Sequence, residues 1–269
     1  MAAPVGGWRL FEVDLGAPEQ FLQGHIPGAG YIDTNQLEQE PLWNKVSDQA
    51  LLRLLLENGI RHDTAVVLYA RNTLAAARAA HLLLYAGVSD VRLLDGGLGA
   101  WSGAGLALEA GAPHCALPIA DFGVSFPARP DYLIDTQQVK SLLQQADGTL
   151  VSIRTWDEFI GATSGYSYID VKGDIAGARW GRAGADVNSM SDFHNSDGTM
   201  KEAGEISALW EQSGIHRDRF TAFYCGTGWR ASVAFFYAWL MNWERISVYD
   251  GGWFEWSRDP DNPIARGVR

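Results

Sequence analysis

The stretch Leu94–Trp101, LDGGLGAW, has a counterpart near the other end of the chain, Tyr249–Trp256, YDGGWFEW. The two Asp-Gly-Gly triplets are 155 residues apart. The same spacing separates Val66–Tyr69, VVLY, from Thr221–Tyr224, TAFY. Landmarks that recur in the same order at one spacing are typical of an internal repeat, so the sequence predicts a duplicated domain.

A third pair of matching segments supports the duplication. Gly24–Ala29, GHIPGA, matches Gly173–Ala178, GDIAGA, at a spacing of 149 residues. The second copy therefore contains about six extra residues between these landmarks, and we expect them in the polar stretch Asp186–Gly204.

Each copy alternates short apolar runs rich in Val, Leu and Tyr with stretches that have helical spacing. This alternation predicts an α/β fold of two tandem domains, each with a parallel sheet flanked by helices on both faces. We expect the domains at 1–108 and 130–269, joined by a linker at 109–129 that contains several prolines. The predicted strands are Arg9–Val13, Ala65–Tyr69, Val91–Leu94, Tyr132–Ile134, Leu150–Ile153, Ala222–Tyr224 and Ile246–Tyr249. The predicted helices are Leu51–Glu57, Ala75–Ala86, Gln137–Gln145, Ile206–Gln212 and Ala231–Met241.

The charge balance argues against several classes of protein. The 269 residues include 21 Lys and Arg but 32 Asp and Glu, which gives a formal net charge of −11. A chain this acidic is poorly suited to bind nucleic acid or an anionic membrane through its overall field. An anionic substrate therefore needs a local binding device.

The cysteine content and the amino-terminal sequence bear on disulfides, metal binding and cellular location. Cys115 and Cys225 are too few for a disulfide-stapled fold or a thiolate zinc site, and no metal-ligand spacing surrounds His194, so we expect no metal. Segment Met1–Leu15 lacks a basic start followed by an apolar core, and no apolar run of ~20 residues is present. We therefore expect neither a secretory signal nor a membrane span, and predict a cytoplasmic protein.

The segment Cys225–Arg230, CGTGWR, follows a predicted strand and precedes a predicted helix. Gly226 and Gly228 allow backbone turns that bring several N–H groups toward one point. The start of the next helix adds its unpaired N–H groups and its dipole. Both effects favour an ionised, nucleophilic cysteine sulfur. Arg230 adds a permanent cation that can bind an anionic group through two N–H groups.

Three motifs together resemble the rhodanese family in its tandem two-domain form: Gly24–Ala29, Leu94–Trp101 and Tyr224–Arg230. The resemblance covers nearly the whole chain and implies a sulfurtransferase whose carboxyl-terminal domain is catalytic. It implies that a small anionic donor, thiosulfate or 3-mercaptopyruvate, leaves its outer sulfur on Cys225 as a persulfide. That sulfur then passes to cyanide, a thiol or a sulfur-accepting protein, in two half-reactions. No cofactor, nucleic acid or membrane partner is implied.

The candidate site consists of the nucleophile Cys225 and substrate-binding residues around it. The substrate-binding candidates are Gly226, Thr227, Gly228, Trp229, Arg230 and Arg179. Arg179 is expected to be either a second substrate cation or a solvated charge in a salt bridge. Trp229 is expected either to form an apolar wall of the pocket or to pack against the first copy.

The repeat also predicts what the first copy does. The position 155 residues before Cys225 is Ala70, and the loop there reads ARNT (70–73), without the nucleophile or the glycines. The first domain is therefore predicted to be catalytically silent. Cys115, in the predicted linker, is expected to be incidental, and His25 to be a structural hydrogen-bonding residue.

Several alternative functions stay open at this point. Cysteine phosphatases and arsenate reductases place five residues between Cys and Arg, whereas four separate Cys225 from Arg230, a tighter ring that suits sulfur better than phosphate. A non-catalytic sulfur-relay or binding module is a further alternative. The donor is also open, because Cys-Gly-Thr-Gly resembles the mercaptopyruvate enzymes while Arg230 favours thiosulfate. The balance favours thiosulfate slightly.

Overall fold

A computed structural model describes residues 7–268. Residues 1–6 and 269 lie outside the described residues, and with them the outer ends of the two predicted domains and the start of segment Met1–Leu15. The chain divides into two compact units. The first comprises the residues up to 39, 45–130 and 196–199, and the second comprises 40–44, 131–195 and 200 onwards.

The first unit is built on a parallel sheet. The strands in this part of the chain are β1 (Trp8–Asp14), β2 (Gly30–Asp33), β3 (Glu38–Gln39), β4 (Asn44–Lys45), β5 (Ala65–Tyr69) and β6 (Asp90–Leu93). The helices are α1 (Glu19–Gln23), α2 (Asp48–Glu57), α3 (Thr73–Ala86) and α4 (Gly97–Gly103), with a 3-10 turn at Thr34–Gln36. The sheet order is β2-β1-β5-β6, and all neighbours are parallel. Strands β3 and β4 form a separate short pair.

The second unit repeats this plan. Its strands are β7 (Leu133–Ile134), β8 (Gly148–Ser152), β9 (Asp174–Ile175), β10 (Arg179–Trp180), β11 (Phe220–Tyr224), β12 (Ile246–Tyr249) and β13 (Ile264–Ala265). Its helices are α5 (Thr136–Leu142), α6 (Trp156–Phe159), α7 (Ala203–Gln212), α8 (Trp229–Leu240) and α9 (Gly252–Trp256), with a 3-10 turn at Pro130–Tyr132. The sheet order is β10-β8-β11-β12-β7, all parallel, and β9 pairs antiparallel with β13.

The matching strand orders confirm the predicted duplication and the α/β class. Order β10-β8-β11-β12 reproduces β2-β1-β5-β6, and β7 is an added edge strand. The central strand β11 is buried over Thr221–Tyr224, as expected for a parallel strand covered on both faces. Helices α3 and α8 are apolar and buried on nearly all sides, which marks them as core helices rather than surface helices.

Local sequence explains where the better-predicted elements begin and end. Ser47 accepts a hydrogen bond from the Ala50 N–H and so caps α2. Asp135 and Gln138 form a capping box at the start of α5. Helix α3 ends at Gly87, whose φ of 111° lies in the left-handed region that glycine favours.

Residues 109–129, which were predicted to link the two domains, have a different place in the structure. Most of 109–129 belongs to the first unit and is hydrogen-bonded to it rather than extended between domains. His25 and Glu109 form a two-way backbone bridge, the Ile119 N–H donates to the Leu56 carbonyl, and the Ala128 N–H donates to the Ala86 carbonyl. The division between the units falls after Pro130. Prolines therefore mark an irregular but packed segment here.

Within residues 7–268, no helix combines the length and apolar character that crossing a bilayer requires. The predicted cytoplasmic location stays a prediction.

Candidate active site

Cys225 lies directly after the carboxyl end of the central strand β11, and helix α8 begins four residues later. In open parallel sheets, this edge is where ligands bind. Gly228 is the residue before α8 and has a φ of 109°, a backbone conformation that glycine adopts without strain. We call Cys225–Gly228 the cysteine loop.

The cysteine sulfur is held by the backbone of its own loop. Cys225 is 1% exposed, and its Sγ accepts a hydrogen bond from the Gly228 N–H at 3.2 Å. No side chain of the residue before α8 caps this helix, and the amino end of the helix dipole lies at the loop. Partial positive charge there stabilises a thiolate.

The Asp-Gly-Gly motif of the repeat orients the peptide groups of the cysteine loop. The N–H groups of Trp253 and Phe254 donate to the carbonyls of Cys225 and Gly226, at 2.8 and 3.1 Å. In a trans peptide, the carbonyl and the following N–H point in opposite directions. The N–H groups of Gly226 and Thr227 therefore point away from α9, as a sulfur-binding loop requires.

Gly252 makes this arrangement possible. A β-carbon at this position would lie 2.5 Å from the Gly226 carbonyl oxygen and 2.9 Å from that of Cys225. The φ of Gly252 is also positive, at 55°. Only glycine allows α9 to start this close to the cysteine loop.

Arg230 does not stand at the rim as a free cation, in contrast to the sequence-based expectation. It is 1% exposed, and its Nη1 and Nη2 donate to the two carboxylate oxygens of Glu158 at 2.8 and 2.9 Å. The two N–H groups that were expected to bind an anionic donor are therefore already hydrogen-bonded to Glu158. Burial raises the pKa of Glu158, but the Arg230 and Arg154 charges outweigh it and hold that pKa below its ordinary value.

Glu158 belongs to a larger set of buried charges. Arg154 Nε lies 3.3 Å from Glu158, and Arg154 Nη1 donates to Asp174 at 3.2 Å. All three side chains are fully buried, and the Arg154 guanidinium lies 5.0 Å from the centre of the Trp253 ring. We call Arg154, Glu158, Asp174 and Arg230 the buried charge network. Its two cations and two carboxyl groups connect the segment that follows β8 with α6, β9 and α8.

Asp174 connects the buried charge network to the central strands β8 and β11. It accepts hydrogen bonds from Ser152 and from the Tyr224 hydroxyl, next to Cys225 in the chain. Burial raises the pKa of the Asp174 carboxyl above its ordinary value, against the opposing charge of Arg154. In the first copy the matching motif carries His25, which is fully buried and contacts the Phe21 carbonyl and Glu109.

Tyr166 also lies at the cysteine loop, although the sequence did not single it out. A β-carbon on Gly226 would lie 2.7 Å from the Tyr166 hydroxyl oxygen, so the ring packs directly on this glycine. Arg230 Nη2 donates to the same hydroxyl oxygen at 3.0 Å. Tyr166 lies in an irregular loop after α6. The sequence of this loop has no hydrophobic period and no recognised motif, so sequence analysis could not identify Tyr166 as a site residue.

Arg179 is not brought to Cys225. It is exposed on the edge strand β10, and its Nη1 donates to the Ser213 carbonyl at 3.3 Å. In the register of the sheet Arg179 pairs with Val151, which pairs with Phe223, so it is level with the carboxyl end of β11. It lies on the edge strand, two strands from β11, and its guanidinium is bound to Ser213 rather than to the cysteine loop.

The remaining candidates lie where the loop sequence predicts. Thr227 is buried within the cysteine loop, and Trp229 is half-buried in the first turn of α8. Cys115 is exposed in the first unit. No cluster of metal-ligating side chains is found among residues 7–268.

The corresponding loop of the first copy has a different geometry. Arg71 stands where the second copy has Gly226, and its side chain is bound to residues of β1 and to the chain around α1. Its guanidinium donates to Glu12 at 2.9 Å and to the Gly24 carbonyl at 2.6 Å. Asn72 caps α3 by accepting the Leu74 N–H, so one helix N–H is already used. This loop has no sulfur, and Arg71 and Asn72 take the places of the glycine and threonine that follow Cys225.

The structure is a duplicated parallel α/β domain in which the second copy carries a cysteine in a strand–loop–helix turn, and a family model matches both copies. Residues 6–104 and 135–259 match the Rhodanese-like domain family. The chain belongs to the rhodanese family, in its tandem-domain form.

One relative matches this chain over its full length. The thiosulfate sulfurtransferase YnjE of Escherichia coli is 58% identical over 268 residues, which cover 100% of this chain and 62% of YnjE. The crystal structure of YnjE has a TM-score of 0.97 at 57% identity and covers 99% of this chain and 64% of that chain. The chain thus spans less than two thirds of the length of YnjE.

The descriptions of two further relatives refer to sulfur. The sulfur carrier protein TtuD of Thermus thermophilus is 32% identical over 96% of this chain and 91% of TtuD. A structure of an EanB variant with a cysteine persulfide and ergothioneine has a TM-score of 0.93 at 41% identity. That match covers 97% of this chain and 65% of EanB.

Proposed function

We propose that this protein is a thiosulfate sulfurtransferase that carries the transferred sulfur as a persulfide on Cys225. The observation that carries the proposal is the cysteine loop itself. One sulfur accepts a backbone N–H at 3.2 Å, and the carbonyls of Cys225 and Gly226 are bound to the start of α9. The names of YnjE, TtuD and EanB support sulfur as the cargo.

The chemistry consists of two displacements at sulfur. The Cys225 thiolate attacks the outer sulfur of thiosulfate, the bond to the sulfite group breaks, and sulfite leaves with the electron pair. An acceptor, cyanide or a thiolate, then attacks the outer sulfur of the persulfide, and the Cys225 thiolate leaves. The N–H groups of Gly226, Thr227 and Gly228 stabilise the negative sulfur in both steps. Because both steps are displacements between sulfur and its acceptor, the proposal includes no metal or organic cofactor.

The side chains of the loop region divide into two roles. Trp229, half-buried in the first turn of α8, is proposed as an apolar wall of the donor site. Arg230 is proposed to act through Glu158 and Tyr166 rather than by binding the donor, since its guanidinium is already paired. Arg179 has no part in the proposed site.

A specific observation favours a second candidate acceptor. Tyr166 lies 59 residues before Cys225, and Thr227 lies two residues after it. In EanB the same spacings separate a substituted tyrosine and a substituted threonine from the persulfide cysteine. EanB has been crystallised with hercynine, a trimethylated histidine. The second candidate is therefore sulfur transfer from Cys225 to an imidazole carbon of such a compound.

Intact-protein mass spectrometry tests the function. Exposure to thiosulfate is expected to add one sulfur, about 32 Da, to the wild-type protein, and cyanide is expected to remove it. Cys225→Ser keeps a hydrogen-bond acceptor in the loop but cannot form a persulfide, so it should show no gain. Cys115→Ser is the matched control and should load like the wild type.

The same assay separates the alternatives. A larger gain with 3-mercaptopyruvate than with thiosulfate would reassign the donor, and formation of ergothioneine from hercynine would support the second candidate. A wild-type protein that gains no sulfur from either donor, or that instead hydrolyses an aryl phosphate, would refute the proposal.

A further inference from the structure

The hydroxyl of Tyr166 lies beside Gly226, the residue that follows the reacting cysteine. The phenol ring packs on Gly226, the residue after Cys225, and a side chain at Gly226 would collide with it. The outer sulfur of a Cys225 persulfide lies about 2.05 Å beyond Sγ, on the side of the loop N–H groups. Gly226 therefore serves two purposes, since it frees the loop backbone and admits the tyrosine.

The orientation of this hydroxyl is fixed by the buried charge network. Arg230 can only donate hydrogen bonds, so the Tyr166 oxygen accepts at 3.0 Å and its own hydrogen is left for another acceptor. Arg230 in turn is held by both oxygens of Glu158. Among residues 7–268, the structure shows no acceptor bonded to the Tyr166 O–H.

The electrostatics agree with a donor that keeps its proton. Burial raises the pKa of Tyr166, and the charge on Cys225 raises it further, against the lowering effect of Arg230. A phenol with a raised pKa stays neutral, and can donate, throughout the pH range in which a thiolate reacts.

We propose that Tyr166 is a further catalytic residue, whose O–H donates a hydrogen bond to the outer sulfur at Cys225. This rests on the proposed function. No proton is transferred. In loading, the Cys225 thiolate forms the S–S bond and sulfite leaves with the electron pair; in transfer, the acceptor bonds to the outer sulfur and the Cys225 thiolate leaves with the electron pair. The Tyr166 O–H draws negative charge away from the outer sulfur of the persulfide, which makes that sulfur easier for an anionic acceptor to attack. Arg230 and Glu158 are positioning residues for this hydroxyl.

Single-turnover kinetics of Tyr166→Phe test the assignment, because phenylalanine keeps the ring on Gly226 and removes only the hydroxyl. Each protein is loaded with thiosulfate, and the loss of sulfur to cyanide is followed by mass. We expect Tyr166→Phe to load one sulfur and to transfer it about 10- to 100-fold more slowly, with little change in the KM for thiosulfate.

Tyr168→Phe is the matched control, since Tyr168 is an exposed tyrosine. The centres of the Tyr166 and Tyr168 rings are 5.3 Å apart. It should transfer sulfur at the wild-type rate. Equal rates for all three proteins would overturn the assignment. An equal slowing in both variants, or a slowing of Tyr166→Phe together with a lower unfolding midpoint, would assign Tyr166 to packing. A wild type that never loads would instead refute the proposed function.

Discussion

At the scale of single residues, the cysteine loop relies on backbone N–H groups and keeps its nearest cation paired. Arg230 follows the loop in sequence, yet its guanidinium lies in the buried charge network with Glu158. A buried pair of this kind contributes little net stability compared with apolar residues, but removing one partner leaves an unpaired buried charge. Arg230 is therefore expected to matter for the fold and for Tyr166 more than for donor binding.

Arg230→Met should lower the free energy of unfolding by about 3–5 kcal/mol at pH 7, because Glu158 loses its main partner. The pKa of Glu158 is depressed in the folded protein, so its paired stabilisation is present above the ordinary carboxyl pKa and is lost as pH falls through the lowered value. The difference between variant and wild type should therefore shrink on acidification. Urea unfolding at several pH values measures this.

The exposed Arg179 supplies the control for this experiment. Arg179→Met should change the unfolding free energy by no more than about 0.5 kcal/mol, since its hydrogen bond to Ser213 is at the surface. A loss for Arg230→Met as small as this would show that the pair with Glu158 is not formed in solution.

The contrast between these arginines shows what the sequence reveals about a site. The cysteine loop was predictable, because its glycines, strand and helix are neighbours in the chain. The partners of Arg230 were not, because Glu158 and Tyr166 are more than 60 residues away in sequence and follow no periodic pattern. Tertiary pairing decided whether Arg230 was a ligand-binding cation or a buried one.

At the scale of elements, the short helix α9 determines the direction of the cysteine loop peptides. The first unit repeats this contact: the Leu98 N–H donates to the Ala70 carbonyl at 3.1 Å, and a β-carbon on Gly97 would lie 2.5 Å from that oxygen. Sequence periodicity identified the long helices and the central strands. It missed α1, α4, α6 and α9, which have four to seven residues and are stabilised by tertiary contacts rather than by an amphipathic period.

Gly252→Ala should reduce sulfur transfer at least about tenfold, because the new methyl group displaces the Cys225 and Gly226 carbonyls and so turns the loop N–H groups. The positive φ adds strain, and we expect a loss of about 1–3 kcal/mol in stability. Steady-state kinetics and urea unfolding give the two quantities.

Gly97→Ala is the matched control in the first copy, with a φ of 57° and the same clash with a loop carbonyl. It should cost a similar amount of stability and leave the rate of transfer per folded molecule unchanged. If both variants lose transfer equally, the effect is not local to the cysteine loop.

At the scale of the whole molecule, one fold plan occurs twice, and the second copy has a cysteine where the first has Ala70. The repeat spacing allowed the duplication and the parallel sheets to be predicted, since matching motifs mark matching strands and turns. The extent of the first unit was not predictable in this way, because backbone hydrogen bonds to Ala29, Leu56 and Ala86 attach the Pro-rich segment to it.

Introducing a cysteine into the first copy should not create a second sulfur site. Ala70→Cys in a Cys225→Ser background is expected to gain no sulfur from thiosulfate, because Arg71 stands in place of the flexible Gly226 and Asn72 already caps the helix. Intact mass measures the outcome. A gain of about 32 Da would show that position alone, rather than the loop backbone, makes the nucleophile.

The side chain of Arg71 ties the loop of the first copy to the elements that precede it. Its guanidinium bonds to Glu12 and to the carbonyls of Gln20 and Gly24, and the Glu12 side chain is fully buried. Exchanging Arg71 for the glycine that the second copy has here would leave that carboxylate without this partner. Grafting a sulfur-binding loop onto the first copy therefore calls for a compensating change at Glu12 as well as a cysteine at position 70.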